Sequence, residues 1–118
     1  MFSAKHLTTG RVGETVATNY LISQGYAILT RNYRKPWGEI DIVSKAPDKT
    51  LVFIEVKTLK SDRRNPESFT GLSPEDNLTQ SKLKKIKRVC EGFANRNPAL
   101  VEDKKGWRID LLTVTLDP

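Results

Sequence analysis

The sequence predicts an α/β fold in which helices pack on a central β-sheet. Three observations predict it: a helical apolar repeat near the N-terminus, two alternating strand-like segments, and a second helical repeat followed by an apolar segment. In chain order, the predicted elements are a helix over 9–24, strands over 26–30, 38–43 and 51–57, a helix over 73–95 and a strand over 107–116. A chain of 118 residues with this order is expected to form a single domain over 1–118.

The first helix is predicted from apolar residues at helical spacing and from Gly25, a common C-terminal stop. Glu14 falls at the edge of its apolar face, where a carboxylate needs a partner. That partner is either a functional site or a surface Lys or Arg. Residues 1–8 show no pattern and are expected to be frayed.

The segments 38–43 and 51–57 alternate apolar and polar residues around the turn-like residues 46–49, and together they predict a β-hairpin. Alternation predicts one charged face and one apolar face. The apolar face would carry Ile40, Ile42, Val52, Ile54 and Val56.

The charged face of this hairpin carries the most reactive residues. It holds Glu39 and Asp41 on the first strand and Glu55 and Lys57 on the second, and a turn centred on Asp48 would set Asp41 opposite Glu55. Two facing carboxylates repel, and Mg²⁺, which prefers carboxylate oxygens, would remove that repulsion. The lysine could then orient a water molecule and neutralise phosphate charge. The alternative is a solvated strand face with ordinary cross-strand ion pairs.

Basic residues flank this hairpin on three sides. They precede it, follow it in residues 59–73, which lack any period and are predicted to form a mobile loop, and line one side of the second helix. The candidate nucleic-acid-binding residues are Arg31, Arg34, Lys60, Arg63, Arg64, Lys82, Lys84 and Lys85. The alternative for each is ordinary surface charge. Trp37 is either a core or turn residue or a stacking surface for a base.

The second helix is predicted to begin with Ser73 as N-cap and Pro74 at the first helical position, and to end near residue 95. Its apolar stripe includes Cys90, which its helical spacing assigns to the core.

Composition limits the partners and the compartment. The net charge of +6 favours polyanions such as nucleic acid. The single cysteine excludes an internal disulfide and suits a reducing cytoplasm, and no segment resembles a signal peptide or a membrane span. We therefore expect a cytoplasmic protein with no membrane partner.

Four segments carry a resemblance to a known family: 10–14, 32–34, 38–43 and 52–58. Together they resemble the YraN-like family of small bacterial proteins, which is similar to the restriction-endonuclease-like superfamily and to archaeal Holliday junction resolvases. The resemblance implies a restriction-endonuclease-like mixed central sheet flanked by helices. It also implies Mg²⁺-dependent hydrolysis of phosphodiester bonds in DNA, including branched or damaged DNA, with Mn²⁺ as a substitute ion.

The resemblance assigns roles residue by residue. Asp41 and Glu55 match metal-binding carboxylates, Glu14 matches the helix glutamate that completes the site, and Lys57 matches the catalytic lysine. Two further acidic residues match family positions to which the resemblance gives no role: Glu39 and Asp110. The partner implied is DNA, and a homodimer is one arrangement that the sequence leaves open. The competing hypothesis is an inactive nucleic-acid-binding or assembly module on the same fold.

Overall fold

A computed structural model describes residues 9–62, 65–70 and 79–116, and in them two helices pack on a five-stranded sheet. The elements are α1 (Thr9–Ser23), β1 (Ala27–Lys35), β2 (Gly38–Lys45), β3 (Leu51–Asp62), β4 (Asn65–Thr70), α2 (Gln80–Arg96), a 3-10 turn (Pro98–Leu100) and β5 (Trp107–Leu116). The predicted α/β fold is confirmed, and the architecture is compatible with a restriction-endonuclease-like fold. The frayed terminus predicted for residues 1–8 lies outside the described residues.

Strand β3 is the centre of the sheet. β5 pairs with it in parallel from Leu51–Trp107 to Lys60–Leu116, whereas β1, β2, β3 and β4 form successive antiparallel pairs. Because β5 occupies one edge of β3 along this length, β2 and β4 share the other edge, one after the other. The sheet is therefore mixed.

Both faces of the sheet are buried at its centre. On the face covered by α1, Ile42, Val52 and Ile54 pack against the helix. On the face covered by α2, the apolar strand residues are Ile40, Val43, Leu51 and Phe53. The prediction of one apolar and one charged hairpin face is therefore wrong here, because a second helix covers the face expected to be charged.

The predicted hairpin register is confirmed. Paired residues run from Lys45–Leu51 to Ile42–Ile54, which centres the turn on Asp48. The β2–β3 ladder ends there, so the two strands separate before the position where Asp41 would face Glu55. This separation opens the sheet at the charged residues.

Ile40 departs from the predicted face. It packs with the α2 cluster, whereas Ile42 packs with the α1 cluster. On the neighbouring strand β1, Asn32 adopts a left-handed conformation, with φ of 53°, and the pairs Arg31–Ile42 and Tyr33–Ile40 place it across from Asp41. A left-handed residue interrupts the two-residue alternation of its own strand.

The mobile loop predicted for residues 59–73 is wrong where the structure describes it. β3 continues to Asp62, and β4 pairs with it antiparallel, with Lys60 opposite Thr70. Strand pairing satisfies backbone hydrogen-bonding groups whatever the side chains are. The polar composition of this segment therefore gave no sign of the β3–β4 pairing. The predicted loop residues at 63–64 and 71–73 lie outside the described residues.

The predicted start of α2 is also wrong. The helix begins at Gln80 with Thr79 as N-cap, and the Thr79 side chain accepts a hydrogen bond from the Lys82 backbone N–H at 3.1 Å. The proposed cap Ser73 lies outside the described residues. Within the described chain, neither helix is long and apolar enough to cross a membrane.

Candidate active site

An open cleft of roughly 460 Å³ lies where β2 and β3 separate. The first residues of α1 form one wall, and the strands β1, β2 and β3 form the rest. Its lining residues are Thr9, Gly10, Arg11, Glu14, Asn32, Glu39, Asp41, Val56, Lys57 and Thr58. Three of the four residues predicted to act in catalysis therefore line a single cleft, and the fourth, Glu55, reaches it through Asp41.

Asp41 takes the place of a backbone partner for β3. Its Oδ2 atom accepts a hydrogen bond of 2.7 Å from the backbone N–H of Val56, just beyond the last β2–β3 ladder pair. The side chain thus satisfies a donor that the separated strand leaves open, and it is held next to Glu55. The carboxyl group of Glu55 hydrogen-bonds to that of Asp41.

Glu55 has a pKa well above that of an ordinary glutamate. Partial burial disfavours the ionised form of Glu55, and the hydrogen bond to Asp41 and the charges of Asp41 and Glu39 disfavour it further; together they raise its pKa from 4.5 to about 9, against the opposing effect of Lys57. Glu55 is therefore the protonated member that donates to Asp41. A divalent cation would offer the two carboxylates positive charge in place of that proton.

Glu14 is buried, with 8% of its surface exposed, and it lies in the wall of the cleft. Its Oε1 atom accepts hydrogen bonds from Arg31 Nε at 3.2 Å and from Asn32 Nδ2 at 3.0 Å. Arg31 is therefore an ion-pair partner of Glu14. A carboxylate at the edge of the apolar face of α1 was expected to have such a partner.

Gly13 fixes the distance between α1 and the cleft. A Cβ atom at this position would lie 2.8 Å from Thr58 Cγ2, closer than such atoms approach in proteins. The absence of a side chain at Gly13 thus allows α1 to lie directly on β3 next to Lys57. This contact brings the adjacent Glu14 to the cleft wall.

The donor set fits a cation held by two carboxylates. Among the described residues there is no group of three or more His, Cys, Asp or Glu side chains placed to hold a metal ion. Mg²⁺ commonly binds through one or two carboxylates and completes its shell with water and substrate phosphate. The neighbouring oxygens of Asp41 and Glu55 fit that requirement, while Glu14 is held by Arg31 and Asn32.

The predicted nucleic-acid-binding residues occupy different settings. Arg34 forms an exposed ion pair with Glu39 at 3.0 Å, and Lys60 lies in β3 beside β4. Arg63 and Arg64 lie outside the described residues. The exposed surface of the first turns of α2 carries Lys82, Lys84 and Lys85.

Asp110 lies apart from the cleft. It pairs with Arg108 at 3.1 Å and lines a separate cavity together with Tyr20 and Tyr26. Cys90 is buried in the α2 cluster, as its spacing predicted, and burial raises the pKa of its thiol to about 12.

Sequence reasoning missed Asn32 as a member of the site. The residue stands opposite Asp41, and it holds Glu14 through its amide. Asparagine tolerates the left-handed region better than most residues, so an asparagine inside a strand-like segment was the available signal. Arg11 was missed as well, because nothing in a helix pattern shows which cleft its first turn will border.

The chain matches a known protein family over most of its length. The profile of the uncharacterised protein family UPF0102 matches residues 13–114. A UPF0102 protein of Caldicellulosiruptor bescii is 42% identical over 108 residues, covering 92% of this chain and 82% of that protein. A UPF0102 protein of Syntrophus aciditrophicus is 38% identical over 114 residues, covering 92% and 87%. The chain therefore belongs to the UPF0102 family, the same family that its motifs resemble under the YraN-like name.

Proposed function

We propose that this protein is a Mg²⁺-dependent nuclease that hydrolyses phosphodiester bonds in DNA in the cytoplasm. The observation that carries the proposal is the hydrogen-bonded Asp41–Glu55 pair beside Lys57, in an open cleft at the point where β2 and β3 separate. Adjacent carboxylates that hold a proton at neutral pH are costly to maintain, and a site for a cation and a phosphate accounts for their retention.

Asp41 and Glu55 would hold the cation, which would supply Lewis-acid stabilisation of the phosphate and activation of water. Asp41 is already oriented by the Val56 N–H, so little ordering is needed when DNA binds. Lys57 lines the same cleft, where its ammonium group can stabilise the charge that develops on the scissile phosphate. Glu14 keeps Arg31 at the cleft wall, and we assign it a supporting position.

The surrounding charges suit a DNA backbone. The first turn of α1 borders the cleft, and the N-terminal end of a helix favours phosphate. The exposed lysines of α2 add positive charge to the surface of the protein. A strand of DNA lying in the cleft would meet the carboxylate pair and Lys57 beside the positive end of α1.

The test is a cleavage panel of linear, nicked, flapped and four-way DNA with Mg²⁺ or Mn²⁺. Asp41→Asn and Lys57→Met should abolish or cripple cleavage. Asp110→Asn is the matched control, because this aspartate lies outside the cleft and pairs with Arg108; it should cleave like the wild type. Sedimentation analysis of the same samples tests the homodimer.

The second candidate is a nucleic-acid-binding or assembly module without useful catalysis. It is favoured by the engagement of Glu14 with Arg31 and Asn32, and by the absence of a three-donor metal group from the described residues. If the wild type binds DNA with the same affinity with and without divalent ions and cleaves nothing in the panel, this candidate replaces the nuclease.

A further inference from the structure

Trp37 is an exposed aromatic residue, two positions before the cleft-lining Glu39, that the hydrolytic site does not use. It lies in the turn between β1 and β2, and 42% of its surface is exposed. Tryptophan is a large apolar side chain that is highly buried on average in folded proteins. Its exposed ring offers a surface on which an aromatic base can stack.

The hairpin turn holds Trp37 rigidly against α2. A Cβ atom at the next residue, Gly38, would lie 3.0 Å from Val89 Cγ2, so the glycine allows the turn to pack closely on the helix. The Arg88 guanidinium carbon lies over the Trp37 ring, 5.4 Å from its centroid. The guanidinium contacts one side of the ring, and the residue still presents a large exposed area.

The surface around Trp37 is cationic. Arg88, Lys84 and Lys85 are exposed on the side of α2 that meets the turn, and Lys35 precedes the turn in β1. Positive charge beside an exposed aromatic ring is the combination that binds single-stranded nucleic acid, because the cations hold phosphates and the ring stacks on a base. A paired base is already stacked between its neighbours, so this surface selects unpaired ones.

The distance to the hydrolytic site matches a continuous strand. Trp37 precedes Glu39, which lines the cleft, by two residues, and Asp41 by four. Four residues of strand span about 13 Å, which is about four nucleotides at the rise of stacked DNA. A single DNA strand could therefore contact both places at once.

We propose that Trp37, supported by Arg88, is a stacking platform for an unpaired base of the DNA strand that enters the cleft. The protein then acts on DNA with single-stranded segments in preference to blunt duplex. This inference rests on the proposed nuclease function, because it extends the substrate of the same site. The turn that carries Trp37 would then select the substrate.

Intrinsic fluorescence tests stacking directly, since the chain contains two tryptophans. Trp107 packs edge-on against Phe53 with ring centroids 5.4 Å apart, and Trp107→Phe keeps an aromatic ring there and leaves Trp37 as the only tryptophan. This variant is titrated, without divalent ions, with a single-stranded oligonucleotide, a tailed duplex and a blunt duplex of equal phosphate number. We expect quenching of Trp37 by the first two and little by the third.

Affinity provides the second measurement. In the otherwise native protein, Trp37→Leu should weaken binding of the tailed duplex by about 5- to 150-fold, the range for losing one stacked base, and leave blunt duplex within about twofold. Tyr20→Leu is the matched control, because Tyr20 is also exposed but lies on α1 by the other cavity. It should change neither affinity.

Failure of the stacking platform can be distinguished from failure of the proposed nuclease function. DNA binding seen by anisotropy, with unchanged Trp37 fluorescence and an unaffected Trp37→Leu variant, would overturn the stacking platform and leave the nuclease standing. Stronger quenching by blunt duplex would likewise overturn it. If the wild type neither binds nor cleaves any DNA, the proposed function fails and the platform fails with it.

Discussion

Replacing Glu55 with glutamine should make the protein more stable at neutral and alkaline pH. The amide is nearly the same size as the protonated carboxyl group and is neutral at every pH. It can also donate a hydrogen bond to Asp41, as the protonated carboxyl does in the native protein. The change therefore keeps the contact and removes the titration.

The sign follows from the two pKa values of this carboxyl group. In the folded protein Glu55 holds its proton to a pKa of about 9, whereas in the unfolded chain it loses the proton near 4.5. Folding therefore takes up a proton between these values, and the native protein loses stability as pH rises through this window. Below the window both states are protonated, and above it the loss is complete.

The magnitude is about 1.4 kcal/mol for each pH unit inside the window. At pH 7, which is about 2.5 units above the unfolded value, the glutamine variant should be more stable by up to about 3 kcal/mol. For a domain of this length that corresponds to roughly 10 °C in Tm.

The assay is urea unfolding of both proteins at about one-unit intervals from pH 4 to 9. The difference in unfolding free energy should be near zero at the acidic end and grow steadily toward the alkaline end. Glu102→Gln is the matched control: it removes the same charge from an exposed side chain that lies outside the cleft lining and pairs with Lys105 at 3.9 Å, and it should show no such growth.

Parallel stability curves for Glu55→Gln and the native protein would refute the reasoning. That result would mean that Glu55 ionises alike in the folded and unfolded chains. The hydrogen bond between Asp41 and Glu55 would then be refuted, and so would the cation site proposed for these two carboxylates.

Three further predictions concern the walls of the cleft and the positive surface. Gly13→Ala should cost about 1–3 kcal/mol through overpacking on Thr58. Thermal melting should show partial recovery when Thr58→Ala is added, because alanine removes Cγ2 but keeps the Cβ atom that also lies 2.8 Å away. Equal melting of all these forms would contradict the close contact. Asn32→Ala should lower Tm because alanine resists the left-handed backbone, while Asn32→Gly should lower it less; the opposite order would remove the role of backbone conformation. Neutralising the exposed lysines Lys82, Lys84 and Lys85 together should lower the slope of log affinity for DNA against log salt by up to about 0.9 per lost phosphate contact. An unchanged slope would show that these lysines contact solvent and not phosphate.

Local pattern determined the elements of this protein that depend on local interactions. The periodicity of α1, the register around Asp48 and the final strand Trp107–Leu116 were all predicted from the sequence. Helical spacing, strand alternation and turn residues act over a few positions, so they are visible without knowledge of the fold. Strand alternation placed Glu39 and Asp41 on one face and Glu55 and Lys57 on one face, whereas only the family resemblance grouped Glu14 with them; Glu14, Asp41 and Lys57 do line one cleft.

Only the tertiary structure decided which strands pair and which surfaces become buried. The pairing of β4 with the open edge of β3, and the coverage of both sheet faces by helices, depend on contacts between residues distant in sequence. The hydrogen bonds of Arg31 and Asn32 to Glu14, and the left-handed conformation of Asn32, arise in the same way. A sequence shows which groups could meet, but pairing and burial determine which of them do. In this protein they determine that Glu55 keeps a proton and that Trp37 stays exposed.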